Sequence, residues 1–262
     1  MCPGQSYTAM SRATNEKGIK LTNFTHDMIK VNQNALKEQE RLRKDKLFLC
    51  KHSIHKIEGF KATMVNIRSW NAHLKHFVSD PYLLSKCCLC VFTETNNNNQ
   101  DSITNYNIQW EEVHQSTGHG LTLCYNKDII KVGKQYEIVT NIEAMAYEVD
   151  VNNEFKIILL IVYRKPGAVH NFIDLLKEQI QSLPRSMRII ILGDFNLDQR
   201  DINMVHLFDT LVDEFSLVQR SQFTTHDGGG ILDLIFDNKK YSEDADILPV
   251  PYTDHFILLF SL

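Results

Sequence analysis

A chain of 262 residues that is 43% hydrophobic and 23% charged can bury one sizeable core, or one domain with an appendage. Its longest apolar run, residues 157–163, is seven residues, so nothing reads as a transmembrane span, and the opening MCPGQSYTAM lacks the apolar centre of a signal peptide. The net charge of −4 conceals an asymmetry: residues 17–61 carry 11 Lys and Arg against 5 Asp and Glu, whereas residues 62–262 carry 16 against 26. A body at −10 is not what general nucleic-acid binding predicts, but it suits a site whose carboxylates collect a cation.

In chain order, residues 14–61 differ from the rest. NQNALKEQERLRKDKLF (32–48) has the pattern of a charged helix, and a solvated helix or linker without chemistry is its plain reading. From residue 61 onward, short apolar runs alternate with polar loops. ATMVN (62–66), CCLCVF (87–92), GLTLCY (120–125), AMAYEVDV (144–151), FKIILLIVY (155–163), RIIIL (188–192), ILDLIF (231–236) and FILLF (256–260) are predicted strands. NFIDLLKEQIQSL (171–183) is a predicted helix, with Phe172, Leu175, Leu176, Ile180 and Leu183 at helical spacing. This mixture predicts an α/β sheet protein. Three of the six cysteines crowd into KCCLCVF (86–92) with no matching Cys/His pair at finger spacing. They are predicted to fill a buried strand as small apolar side chains, in a reducing compartment.

RIIILGDFNLD (188–198) ends a buried strand on Gly193 and then presents Asp194 and Asn196. Taken alone, that is an ordinary turn in which Asp and Asn hydrogen-bond their own backbone. Other strands end the same way. ATMVN closes on Asn66, CCLCVFTE on Glu94, and FKIILLIVYR on Tyr163 and Arg164. ILDLIF carries Asp233 near its start, and YTDHFILLF opens with Asp254 and His255. Antiparallel neighbours place one strand's start beside another's finish, so all these groups can share one rim.

Two carboxylates about 4 Å apart repel by about 4 kcal/mol at an effective dielectric of 20, so several at one rim require protonation, separation or a cation. Acids and amides are hard oxygen ligands, which favour Mg²⁺ (or Mn²⁺, Ca²⁺) over zinc. A histidine and a tyrosine beside such a cation complete the parts for cleaving a phosphodiester.

The ordered set VN (65–66), TET (93–95), VYR (162–164), GDFN (193–196), ILDLIF (231–236) and TDH (253–255) resembles the endonuclease/exonuclease/phosphatase superfamily over residues 61–262. That superfamily includes deoxyribonuclease I, abasic-site repair endonucleases and retroelement endonucleases. The resemblance implies a four-layer α/β sandwich, two packed mixed β-sheets flanked by helices, here with an N-terminal helical or irregular extension. By position, it implies Glu94 as the principal ligand of Mg²⁺ (Mn²⁺ also serving), with Asn66 beside it and Asp254 as a metal-side carboxylate. Asp194 orients or deprotonates the attacking water, Asn196 helps to place it, and His255, held by Asp233, contacts the scissile phosphate with Tyr163. Arg68 and Arg164 are candidate phosphate-binding cations. Abasic-site repair enzymes carry an acid where this chain has Arg68, and NIRS (66–69) resembles mobile-element endonucleases instead.

GQSYTAMSRATNEKGIKLTNF (4–24) resembles the last motif of Pif-type superfamily 1 helicases, in which the arginine at the position of Arg12 senses the nucleotide γ-phosphate. No phosphate-cradling G-x-x-x-x-G-K-[ST] loop accompanies it, so ATP hydrolysis by this chain alone is not expected. The sequence thus reads as two parts. Residues 1–60 are a helicase remnant and linker, loosely packed or extended to about residue 55, and residues 61–262 are a hydrolase domain. The function expected is a metal-dependent, DNA-nicking endonuclease of helicase–endonuclease fusion origin, as in rolling-circle transposons. It is expected to be monomeric, nuclear or cytoplasmic, with DNA and no membrane as partner. Two alternatives stay open: a phosphatase or phosphodiesterase acting on a lipid or small molecule, which the acidic body favours, and a degenerate domain that only binds.

Overall fold

The eight predicted strands are the eight inner strands of two six-stranded sheets. The structure, a computed structural model, describes residues 53–96, 101–168, 171–239 and 244–262. The predicted helix at 32–48, the helicase-like segment and Arg12 lie outside the described residues. The first sheet holds β1 (Lys61–Asn66), β2 (Cys87–Thr93), β3 (Trp110–Gln115), β4 (Leu121–Asn126), β11 (Asp246–Leu248) and β12 (Ile257–Ser261), in the order β11-β12-β1-β2-β4-β3. The second holds β5 (Ile130–Tyr136), β6 (Glu143–Val151), β7 (Phe155–Tyr163), β8 (Arg188–Asp194), β9 (Val218–Gln219) and β10 (Asp233–Asp237), in the order β5-β6-β7-β8-β10-β9. Each sheet has one parallel pair, β1 with β2 and β7 with β8, and is otherwise antiparallel.

The inner strands are apolar on both faces because both faces are covered. Along β7, Ile157, Leu159, Ile161 and Tyr163 enter the core between the sheets, whereas Ile158, Leu160 and Val162 meet the outer helices. Those helices are α3 (Phe172–Ser182), with Phe172, Leu176 and Ile180 buried, and α4 (Ile202–Phe215), with Phe208 and Leu211 buried. On the first sheet the outer layer is α1 (Trp70–Val78), which buries Trp70, Leu74 and Phe77 at i, i+4 and i+7, and the single turn α2 (Leu83–Lys86). Helix, sheet, sheet and helix make the expected four-layer α/β sandwich. Cys87, Cys88, Cys90 and Cys124 are free and buried, as the apolar reading of the cysteine cluster requires. No helix among the described residues is long and apolar enough to cross a membrane.

Packing begins ahead of residue 61. Ile54, in a 3₁₀ turn spanning Ser53–Lys56, and Ile57 are buried in the layer between the first sheet and α1, and Lys56 pairs with Asp246 at 2.9 Å. A chain beginning at Ser53 is therefore expected to unfold as one cooperative unit. One beginning at Lys61 empties two isoleucine sites, each worth about 2–5 kcal/mol on the scale of large-to-alanine substitutions. Thermal denaturation of the two truncations checks this, at about 2–4 °C per kcal/mol for a domain of this size.

Candidate active site

Side-chain alternation delivers the site. On β1, β7, β8 and β10 the residues Met64, Ile161, Leu192 and Ile235 point into the core between the sheets. Two residues further along each strand, or two before in the reversed β10, stand Asn66, Tyr163, Asp194 and Asp233 on that same face. Parallel pairing brings Tyr163 level with Asp194, and antiparallel pairing sets Asp233 opposite Asp194. All four therefore reach one rim, where the two sheets face each other.

Glu94 arrives by a different route. Thr93 has the inward parity, so a continued strand would turn Glu94 away. A positive φ of 51° at Glu94 breaks the alternation, and its Oε1 accepts hydrogen bonds from Asn66 Nδ2 at 2.9 Å and Tyr163 Oη at 2.8 Å. Asn196 also takes a positive φ, 48°, which folds its backbone N–H onto Asp194 Oδ1 at 2.9 Å and its Nδ2 onto Asp194 Oδ2 at 3.1 Å. Such left-handed conformations are uncommon outside glycine and cluster at functional sites. Gly193, which precedes Asp194, must be glycine: a Cβ there would overlap the carbonyl oxygen of Val162 on the neighbouring strand.

Asp194 is the centre of the network. It is fully buried and takes a third hydrogen bond, from Asn66 Nδ2 at 2.8 Å. Burial and then the charge of Asp233 push its carboxyl up to about 7, against the opposing pull of His255 and the Asn66 and Asn196 hydrogen bonds. His255 Nδ1 donates to Asp233 Oδ2 at 2.8 Å, which leaves Nε2 4.0 Å from Asp194 Oδ2. Burial alone would lower the imidazole, but Asp233, by charge and hydrogen bond, together with Asp194 and Asp254 raises it to about 9. The ring is thus protonated at neutral pH. Tyr163 is pushed well above the usual phenol range by burial and by Glu94, so it remains a neutral donor.

The remaining predicted residues separate into two groups. Asp254 lies at the edge of the site, where its Oδ2 meets Arg68 Nη2 at 2.6 Å and His226 Nε2 at 3.2 Å. Although burial opposes it, Arg68, His255 and His226 hold this carboxyl below its usual range. Arg68 is half-exposed at the rim, where a phosphate can reach it. Arg164 is not brought there. Its guanidinium donates to the carbonyls of Asn196 at 3.3 Å and Ala168 at 3.1 Å and lies over the ring of Phe172, so it braces the turn carrying Asn196.

Three supporting residues carried too little signal to be read from the sequence. Thr225 Oγ1 accepts the backbone N–H of Asp233 at 3.0 Å, and Thr253 Oγ1 donates to the Asn66 carbonyl at 3.0 Å. His226 packs edge-on against His255, with centroids 4.8 Å apart. Each lies in a polar loop, and of the three only Thr253 falls within a family-like run, TDH (253–255).

The donor set fits a hard divalent cation. Two groups of side chains bring potential ligand atoms within 4.8 Å of one another: Asp194, Asp233 and His255, and His226, Asp254 and His255. In the first group all three residues are buried and His255 Nδ1 is committed to Asp233, which leaves no room for an ion that keeps its waters. Half-exposed Glu94, with no protein hydrogen bond to Oε2 among the described residues, is the better anchor. Asn66 turns Nδ2 toward both carboxylates and offers Oδ1 to Arg68 N at 3.0 Å, so it bridges the acids in this arrangement.

The fold recurs in solved structures. The chain superposes on a mannosyl-6-phosphatase from Bacteroides thetaiotaomicron with a TM-score of 0.61 at 12% identity, covering 77% of this chain and 98% of that one. It superposes on the endonuclease domain of TRAS1, a telomere-specific non-LTR retrotransposon, with a TM-score of 0.59 at 16% identity, covering 77% and 96%. For the 3′ phosphatase NExo from Neisseria, bound to product DNA hairpin, the TM-score is 0.59 at 14% identity, covering 78% and 99%. At these identities the likeness is one of fold. No curated protein matches the chain in sequence. The endonuclease/exonuclease/phosphatase family model, however, matches residues 57–251, a span that holds every rim residue up to Asp233 and stops just short of His255. Two mixed sheets that close on one rim of acids, amides and an imidazolium, together with that match, lead to a single assignment: the chain belongs to the endonuclease/exonuclease/phosphatase family, whose reaction is metal-dependent phosphoester hydrolysis.

Proposed function

We propose that the chain is a Mg²⁺-dependent endonuclease that nicks DNA, of mobile-element origin. The observation that carries the hydrolytic part is the sequence of contacts His255–Asp194–Asn66–Glu94 across one rim. It sets an anionic anchor, a carboxylate of raised pKa and a protonated imidazole side by side. DNA as substrate is supported by Arg68, which stands where repair enzymes have an acid, and by the helicase-like residues 4–24. The −10 body favours a second reading, a phosphatase or phosphodiesterase acting on a small phosphate ester.

Mg²⁺ or Mn²⁺ held at Glu94, with Asp254 and Asn66 on its flanks, would supply Lewis-acid stabilisation of charge on the phosphate. The protein groups divide the remaining work. Asp194, ionised, accepts a proton from the attacking water, and Asn196 fixes the direction of that carboxylate. His255 Nε2–H faces the same space and donates to a non-bridging phosphate oxygen as charge develops, while Asp233 keeps it protonated. The Tyr163 hydroxyl orients Glu94.

Glu94→Gln is expected to weaken Mg²⁺ binding and nearly abolish nicking of supercoiled plasmid. Titration calorimetry and agarose gels read the two effects, and wild-type nicking at limiting Mg²⁺ would remove Glu94 from its role. His255→Ala and Asp233→Asn should each lower turnover at least about 10²-fold, the scale of losing one oxyanion donor. Their double mutant should be little worse than either, because the pair acts as a unit. Losses that simply multiply would show that they act independently.

The pH profile follows from the same pair of values. Asp194 must be ionised, so kcat/KM should rise through about 7. His255 must be protonated, so it should fall through about 9. Raising Mg²⁺ should move the acidic limb to lower pH, because a nearby cation favours the carboxylate. An acidic limb that stays fixed as Mg²⁺ is varied would separate Asp194 from the metal-binding rim.

A further inference from the structure

The end of the rim remote from His255 holds a second carboxylate-bound imidazole. Glu143 opens β6 directly opposite Tyr163. Its Oε1 accepts the backbone N–H groups of His119 at 2.7 Å and Gly120 at 2.9 Å, and its Oε2 lies 3.5 Å from His119 Nδ1. The loop is fitted around that carboxylate. Gly118 and Gly120 have φ of 72° and 84°, and a Cβ on Gly118 would run into the Glu143 carboxylate, one on Gly120 into Thr95 Oγ1. Asn96 N and Thr95 N donate to the carbonyls of His119 and Gly120 at 2.8 Å and 3.1 Å, clamping the loop to the residues that follow Glu94. The ring of His119 lies 5.1 Å from that of Tyr163 at a tilt of 44°, and its side chain is 34% exposed. With Nδ1 turned to Glu143, Nε2 is the nitrogen open to a ligand, and it has no hydrogen-bond partner among the described residues.

A surface histidine needs no such fixing. Here two backbone N–H groups, two left-handed glycines and a half-buried glutamate fix one imidazole next to the tyrosine that touches Glu94. The order of contacts along the rim is His255, Asp194, Asn66, Glu94, Tyr163, His119. In an in-line displacement at phosphorus the nucleophile and the leaving oxygen stand on opposite sides. If Asp194 activates water at one end, the leaving oxygen departs toward the other.

The geometry points to His119 as the general acid of the reaction, giving its Nε2 proton to the leaving oxygen while Glu143 holds the ring through Nδ1. This rests on the hydrolase reading above. The water oxygen forms a bond to phosphorus as one of its protons passes to Asp194. The bond from phosphorus to the leaving oxygen breaks, and that oxygen takes the His119 proton to leave as an alcohol. Solvent then reprotonates His119 and removes the proton from Asp194. Water and one phosphodiester give one alcohol and one phosphomonoester. Tyr163 and Glu143 are the titratable groups that face the ring.

The test compares two substrates, because a general acid matters only when the leaving group is poor. On supercoiled plasmid, where the leaving group is a sugar alkoxide, His119→Ala should lower kcat/KM by about 10²–10³. On thymidine 5′-(4-nitrophenyl phosphate), whose leaving group is already a stable anion, the loss should be under about threefold. Glu143→Gln should show the same contrast at smaller amplitude. His119→Gln, which keeps the volume of the loop, repeats the comparison should His119→Ala lower the melting temperature. Equal losses on both substrates, or none on plasmid, would overturn the assignment of His119. A wild-type protein inactive on both with Mg²⁺ and Mn²⁺ would overturn the hydrolase reading itself.

Discussion

Three side-chain hydrogen bonds, each 2.8 Å long, join the two sheets at one rim: Asn66 to Asp194, Tyr163 to Glu94, and His255 to Asp233. In every case one partner stands in the first sheet or at the end of one of its strands, and the other lies in the second. The apolar core between the sheets sets their distance but has no direction, since burial energy depends on area removed from water. Hydrogen bonds between buried polar groups do have direction. They fix how far one sheet slides over the other, and that offset brings the acids, amides and imidazole of the rim within reach of one another.

The same bonds make the site costly. Asp194 and Asp233 are opposite each other on adjacent strands and both are fully buried, an arrangement that raises the free energy of two charges together. The protein offsets this with one imidazolium, the carboxamides of Asn66 and Asn196, and the backbone N–H of Asn196. Compensation is incomplete, since Asp233 Oδ1 has no hydrogen-bond partner and the Asp194 carboxyl is shifted upward. A carboxylate poised near neutrality is what a base requires, so residual strain and chemistry have one source. Positive φ at Arg68, Glu94 and Asn196 adds local backbone strain around the same rim.

The polar rim also shows how a strongly acidic body can act on an anionic ester. Cationic groups are few at the site itself, and they are aimed. Arg68 sits on Asp254, His255 on Asp233 and His119 on Glu143. Each carboxylate orients its cationic or imidazole partner through one nitrogen. Arg164 shows the contrast: its guanidinium donates to the main-chain carbonyls of Asn196 and Ala168 and so braces the turn.

What was legible in the sequence follows a physical division. The eight strands read from apolar runs are the eight that have neighbours on both sides, because only a strand covered on both faces must be apolar throughout. β3, β5, β9 and β11 are the four sheet edges, half-exposed and polar, and they carry no such run. Asn66, Tyr163, Asp194 and Asp233 were legible because they continue the inward parity of predicted strands, and parity is a property of the sequence. The direction of Glu94 was not, since it depends on a left-handed residue that breaks that parity. Nor was the retirement of Arg164 into the turn, nor the place of His119 and Glu143, which are 24 residues apart and meet only because β4 and β6 lie in different sheets that close on one rim. Sequence by itself determined which residues face inward at strand ends, because alternation is local. Tertiary structure alone decided which of them touch, because contact between two sheets is set by packing and by hydrogen bonds that no local pattern encodes.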